Sequence, residues 1–342
     1  MRGKSISYDT GFIHKGTSSR PTLDPQLVKR ELEIIRDDLH CNAIRVTGSD
    51  PERLDLVANI AGAAGLEVWF SPFTCNLSEE EMLSLLDDCA ERAERLRVRG
   101  VEVVLVTGAE LSILNHGFIP GASLDERIEL VKEPVKLRPH VAAIPERINA
   151  FLGRALQRIR ARFAGKVTYA AIPLERVDWT PFDIISLDVY PSREMAEQFI
   201  EGTRVLAAQG KPVAVTECGS ATYRGAAESG GRAGFIVEWD PHTAQPLRLD
   251  GDYERDEAEQ ANCLRELLAL SDEAGIDTMH VFTFASYALP HRERAGREDL
   301  DMASYGIVKV FESGSGTRYT DVPWEPKAAF AAIAELYGET AS

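Results

Sequence analysis

Residues 211–223 read KPVAVTECGSATY. Within them, 212–216 form a short apolar, β-branched run of the kind that is buried in a parallel sheet. The run stops at a carboxylate, Glu217, and passes into Cys-Gly-Ser, which is turn material. A buried strand that ends on an acid and opens into a long loop is how a β/α barrel presents a reactive group at its C-terminal face. Residues 101–112, VEVVLVTGAELS, repeat the construction and end on Glu110. The rest of the chain reads as a scaffold that holds these two glutamates near each other.

Working outward, strand-like runs recur at 6–14, 42–46, 66–73, 101–107, 166–173, 183–190, 212–216 and 277–284, each followed by a helix-period segment. The first helix begins near Pro25 with Asp24 as N-cap and Val28, Leu32, Ile35 and Leu39 on one face. Pro51 opens the second, and Ser78 with Glu81 forms a capping box for the third. The last helix covers about 326–337. Eight such units predict a closed (β/α)8 barrel. A doubly wound open sheet would bring a Gly-rich dinucleotide turn after the first strand, and GFIHKG at 11–16 is not one. With no repeat or low-complexity linker, 1–342 reads as a single domain. The excess over a typical barrel of ~250 residues sits at 113–145, 219–252 and 291–323, all after strand C-termini. Residues 235–250 alternate enough to predict a hairpin.

Composition narrows the function classes. Apolar residues make up 44% and charged residues 27%, with a net charge of −16. Without a cationic surplus, neither nucleic acid nor an anionic membrane is expected as partner. No run of ~18 apolar residues predicts a membrane span. The first residues lack a secretory apolar core, and the five cysteines are scattered without a C-x-x-C pair. The expected compartment is therefore the reducing cytoplasm, and the expected substrate an oligosaccharide or glycosylated metabolite. The seven histidines include no H-x-H and no H-E-x-x-H, so no metal is expected. Lys166 and Lys211 lie at strand starts, the wrong end of a barrel for Schiff-base chemistry.

Two carboxylates facing each other across a barrel mouth suit glycoside cleavage with retention. That reaction needs a nucleophilic carboxylate and a protonated acid about 5–5.5 Å apart, in environments that separate their proton affinities. The residues give the pair but not the roles.

The motifs resemble those of clan A glycoside hydrolases. Strand two ends Ala43-Ile44-Arg45-Val46, strand six ends Asp188-Val189-Tyr190, and DMASYGIV (301–308) with WEPKAAFAAIAELY (324–337) resembles the clan's closing loop and last helix. Within the clan, GAELS and TECGSATYRGAA are most similar to the family 113 β-mannanase-like barrels. The resemblance implies a cofactor-free double displacement, with Glu110 as general acid/base, Glu217 as nucleophile and Arg45 setting an opposite charge beside Glu217. It also implies Tyr190 or Asp188 near the nucleophile. Tyr223 would contact Glu217 or the sugar, and Trp239 and Tyr287 would offer faces for stacking on sugars. One departure stands out: the clan's usual Asn before the acid is Ala109 here. That residue contacts the sugar 2-hydroxyl, a contact that strengthens in the transition state. Ala109 keeps open a rival, a barrel lyase, isomerase or tailoring enzyme reusing the carboxylates; a second rival, a non-catalytic carbohydrate-binding barrel, has the presence of both glutamates against it.

Overall fold

The computed structural model describes residues 1–190, 195–293 and 296–339. Eight parallel strands form the central sheet: β1 Gly3–Asp9, β2 Ala43–Gly48, β3 Glu67–Pro72, β4 Val103–Ala109, β5 Lys166–Ala170, β6 Ile185–Asp188, β7 Val213–Cys218 and β8 Thr278–Val281. They are hydrogen-bonded in the order β5-β4-β3-β2-β1-β8-β7-β6. An isolated parallel bridge between Ala171 and Leu187 then joins the two end strands. The ring is the (β/α)8 barrel that the alternation predicts.

Helices α1 Pro25–Asp37, α2 Pro51–Ala63, α3 Glu79–Val98, α4 Ile144–Arg160, α5 Ala196–Ala207, α6 Glu257–Glu273 and α7 Ala328–Glu339 surround it. Their starts are written in the sequence. Asp24 accepts from the Gln26 N–H, Asp50 accepts from the Glu52 N–H ahead of Pro51, and Ser78 and Glu81 cap each other reciprocally. Each satisfies N–H groups that a helix start leaves orphaned. Val28, Leu32 and Ile35 of α1 are buried against the strands.

Two expectations are corrected. The first strand covers Gly3–Asp9 rather than 6–14. The Asp9 carboxylate takes the Gly11 N–H at 2.8 Å and the Ser19 hydroxyl at 2.6 Å, so the chain turns away there into a small hairpin of Ile13–His14 with Thr17–Ser18. No α-helix follows β5 either. Pro173 and Pro181 punctuate that short connection, and only the 3-10 turn Pro173–Glu175 forms. The expected hairpin within 235–250 is present, with Val237–Trp239 pairing antiparallel to Pro246–Leu249.

The barrel interior is packed by Trp69, Val104, Val106, Ala109, Ala170, Ile184 and Ala214. His280 sits edge-on to Trp69 at 4.4 Å and is hydrogen-bonded to Ser5 Oγ at 2.7 Å. This filled floor lifts the reactive groups to the C-terminal rim. Among the described residues no helix is long and apolar enough to cross a membrane.

One buried ionic knot fastens the strand-eight loop to α1. Glu31 accepts from Arg20 Nη2 at 2.8 Å, from Trp324 Nε1 at 2.9 Å, and from the hydroxyls of Tyr8 and Tyr287. Arg20 lies 4.2 Å above the Tyr287 ring. Tyr287 is thus a brace and not a sugar platform: one ring face is covered by the guanidinium and its hydroxyl is spent on Glu31. Tyr287→Phe is expected to cost about 1.5–3 kcal/mol, the value of a hydrogen bond to a charged group. Urea unfolding reads that loss; a rise in KM with stability unchanged would restore Tyr287 to the site.

Candidate active site

Glu110 follows the last residue of β4. Its backbone is left-handed, at φ 44° and ψ 38°, a region where an L residue with a long side chain is strained. Several contacts hold it there. Its N–H donates to the Ala170 carbonyl at 3.0 Å, and a single helical turn, Leu111–Leu114, starts immediately after it. That turn is pinned from β5: the Leu111 N–H donates to the Tyr169 hydroxyl at 2.8 Å and the Ser112 N–H to Glu175 at 3.0 Å. Tyr169 in turn donates to Glu175 at 2.9 Å. Sequence reading missed Glu175 and Tyr169. Their one signal was an acid just past the end of strand five, in Ile-Pro-Leu-Glu.

Glu217 lies near the end of β7, in register with Asp188 of β6 across an irregularity in the ladder. Gly219 lets β7 end against β8, because a Cβ there would lie 2.4 Å from the Phe282 carbonyl oxygen. Arg45 rises from β2, fully buried. Its Nη1 donates to Glu217 Oε1 at 2.9 Å and to the Thr216 carbonyl at 2.8 Å, and Nε donates to Ser71 Oγ at 3.2 Å. Tyr190 donates its hydroxyl to Glu217 Oε2 at 3.2 Å. Both Glu217 oxygens are therefore held, by a guanidinium on one side and a phenol on the other. An oxygen of each of Glu110, Asp188 and Glu217 lies within 4.8 Å of the others.

These groups share little positive charge. Arg45 Nη1 is 3.8 Å from Asp188 and 2.9 Å from Glu217. Burial drives the Glu110 carboxyl well above its ordinary range, and the charges of Asp188, Glu217 and Glu175 add to this against a smaller opposing pull from Arg45. Asp188 is pushed up to about 8 by burial and by Glu217. Glu175 is pushed up to about 7 by burial, in spite of the hydrogen bonds it accepts. Burial and Glu217 also raise the Tyr190 phenol, which keeps its proton and remains a donor. Burial and mutual repulsion thus push Glu110 and Asp188 toward their protonated forms, while the Arg45 guanidinium lies closer to Glu217 than to Asp188, the kind of asymmetry that separates an acid from a nucleophile.

Three clustered carboxylates are also donors a hard cation accepts. Arg45 already fills the positive role beside two of them, and the acidic cluster by itself does not define a metal centre.

Asp188 faces Glu217, Glu110, Glu175, Arg45, Thr216, Tyr169, Tyr190 and Cys218. Its folded proton affinity exceeds its unfolded one, so between about pH 4 and 8 the folded state binds more protons and stability falls as pH rises. Asp188→Asn removes that dependence. The stability gap between pH 5 and pH 8 should narrow by roughly 1 kcal/mol or more, read by chemical denaturation at both pH values; an unchanged gap would show that Asp188 titrates as an ordinary carboxylate.

Other candidates fall elsewhere. Tyr223 is buried in a satellite cluster with Ala221, Ile236, Leu249 and Leu300, its ring 4.9 Å from that of Tyr253. It packs the strand-seven loop instead of touching Glu217, because residues 220–223 turn back toward α6. Trp239 is 47% exposed on the hairpin, free to meet a ligand. Ala109 is buried in the interior cluster and offers no polar atom to the mouth.

No protein-family model and no curated protein matches the chain. Solved structures match it over nearly its whole length. A GH113 β-1,4-mannanase complex superposes with a TM-score of 0.59 at 15% identity, covering 99% of each chain. The GH113 β-mannanase AaManA from Alicyclobacillus acidocaldarius, in complex with ManMIm, gives 0.61 at 16% identity, covering 99% of this chain and 98% of its own. Cel5A of Thermotoga maritima with mannotriose gives 0.52 at 14% identity, covering 88% and 96%. The chain shares its (β/α)8 barrel with these glycoside-hydrolase structures.

Proposed function

We propose that this protein is a retaining glycoside hydrolase in which Glu217 is the nucleophile and Glu110 the acid/base. The observation that carries the reading is the unequal pair: an oxygen of each glutamate within 4.8 Å, one carboxyl holding its proton and the other gripped by Arg45 and Tyr190. Oxygens that close fit the about 5–5.5 Å carboxyl separation of retention better than the ~6.5–9.5 Å that leaves room for a water in inversion.

In the first step a Glu217 oxygen bonds to the anomeric carbon as the glycosidic bond breaks. The Glu110 proton passes to the departing oxygen, so the aglycone leaves neutral. In the second step Glu110, now a carboxylate, takes a proton from water. The water oxygen displaces Glu217 and regenerates both groups. Arg45 and Tyr190, one on each oxygen, hold the Glu217 carboxylate in place for attack. The neighbours solved with ManMIm and mannotriose support a β-mannoside as the first substrate to try. Ala109 bears on the sugar: with no amide at that position, the 2-hydroxyl loses a partner, which favours substrates that depend little on that contact.

The test is a panel of nitrophenyl glycosides together with their 2-deoxy-2-fluoro analogues. Turnover, with a covalent sugar on the peptide carrying Glu217 detected by mass spectrometry, is the expected result. No turnover on any member and no adduct would sink the reading, and an adduct on another residue would reassign the nucleophile.

A further inference from the structure

The loops above Glu110 and Glu217 meet where an extended sugar chain would leave the site. Glu110 comes from β4 and Glu217 from β7, so a chain lying between them departs over one of two arcs. One arc runs through β5 and β6, the other through β8, β1, β2 and β3. The second arc is crossed. The hairpin after β7 reaches over to the loops after β1 and β4. Thr17 donates its hydroxyl to the Thr243 carbonyl, and Lys15 Nζ donates to the Pro241 carbonyl at 2.6 Å. The same Lys15 ammonium pairs with Asp125 on the helix Leu124–Lys132 of the strand-four loop, and His14 Nε2 lies 3.7 Å from Asp125. Farther along that helix, Lys132 Nζ sits 5.2 Å above the ring of Phe235, just before the hairpin.

Strands 1, 4 and 7 stand about a third of the ring apart, and the contacts among their three loops close the rim over the second arc, with the strand-three loop bonded to the strand-four loop between them. The hairpin base is held too: Arg297 donates to Glu238 at 2.8 Å and to the Leu249 carbonyl at 2.7 Å. Below the crossing, Phe12 packs on Phe73 at 5.1 Å and the Cys75 thiol donates to the Ile13 carbonyl at 3.3 Å, closing the space between the loops after β1 and β3. A groove that binds the middle of a polymer needs both exits open. Here one exit ends against a wall built by residues 12–17, 125–132 and 235–249.

Resting on the glycosidase reading, we infer that the site takes its substrate by a chain end: it acts on short oligosaccharides, small glycosides or terminal units, and not on internal linkages of a polysaccharide. The wall is the specificity determinant, and the hairpin tip is the part of it that fastens to the strand-one loop, whose Lys15 in turn pairs with the strand-four helix.

Soluble β-1,4-mannan, carboxymethyl-cellulose and the matching oligosaccharides of two to six units are the probes, with nitrophenyl glycosides as the reference activity. The wild-type protein should cleave nitrophenyl glycosides and oligosaccharides to one- or two-unit products while polymer viscosity stays constant. Replacing 241–244 by Asn-Gly should raise the viscosity-lowering rate at least tenfold while the nitrophenyl rate falls no more than about threefold. Rapid loss of viscosity with the wild-type protein, or internal products from the hexasaccharide, overturns the inference even if the glycosidase reading stands. Should no glycoside be cleaved, the glycosidase reading fails and binding decides the wall separately. Calorimetric affinity that levels off by three units, and regains length dependence when the tip is shortened, supports it. Affinity that rises steadily to six units, or absence of any oligosaccharide binding, overturns it.

Discussion

Glu217→Gln lowers turnover of a nitrophenyl glycoside by roughly 10⁴-fold or more, the scale on which loss of a covalent nucleophile acts. The substitution keeps the side-chain shape and can still offer a carbonyl oxygen to Arg45, while the amide nitrogen takes the place of the oxygen that accepts from Tyr190. A neutral amide cannot displace the aglycone. It also leaves Arg45, buried and bonded to Glu217 at 2.9 Å, without its carboxylate partner, which costs stability; far-UV dichroism and a melting curve on the same sample guard against reading misfolding as lost catalysis. The sharper variant is Glu217→Gly, which opens room beside the anomeric carbon. Azide, a small anion, then enters that space next to Arg45 and attacks in place of the carboxylate. Restored release of nitrophenol, with a glycosyl azide of inverted configuration as product, identifies Glu217 as the nucleophile. If both variants retain activity within tenfold of wild type, or azide rescues nothing while substrate still binds, the role of Glu217 in bond formation is wrong.

Particular residues show what a sequence discloses about such a site. Glu110 and Glu217 were legible because each terminates a buried apolar run, and an acid at that place has no packing reason to be there. Arg45 was legible for the same reason, as a charge within a run otherwise apolar. The barrel followed from the alternation, whose helix starts carry Asp24, Pro51 and Ser78 as local signals. What stayed hidden depends on long-range geometry. Glu175 sits in a proline-broken turn, and nothing local says that it reaches beneath Leu111 to accept from Ser112. Tyr223 and Tyr287 look like site residues because they follow strands seven and eight, yet their directions are set by partners far along the chain: Tyr253 in one case, Arg20 and Glu31 in the other. The wall across the mouth was invisible for the same reason, since Lys15 and Pro241 are separated by most of the chain and meet only after the ring closes.

Glu110→Gln separates substrates by their leaving groups. An alkyl glycoside, whose oxygen must be protonated as it departs, loses about 10²–10⁴-fold, the contribution of a positioned general acid. A nitrophenyl glycoside leaves without help, so its first step is nearly unaffected while the second, which needs Glu110 as base, slows. The expected trace is a burst of nitrophenol equal to the enzyme present, followed by a slow steady rate and a lowered KM. The pH profile gives an independent reading. Burial and three neighbouring carboxyls favour the protonated form of Glu110, so the wild-type rate falls on the high-pH side as that proton is lost; in Glu110→Gln that high-pH limb disappears. Stability should move the other way. Glu110 occupies a left-handed backbone position, and its half-buried carboxyl sits among other carboxyls, both unfavourable for a glutamate, so Glu110→Gly, suited to positive φ, should raise stability by roughly 1 kcal/mol while abolishing acid catalysis. A residue kept for packing behaves in the opposite sense, losing stability when it is removed. An equal loss on both leaving groups, a high-pH limb that persists, or a Glu110→Gly variant less stable than wild type would each point to a structural glutamate and make Asp188 the next candidate for the acid.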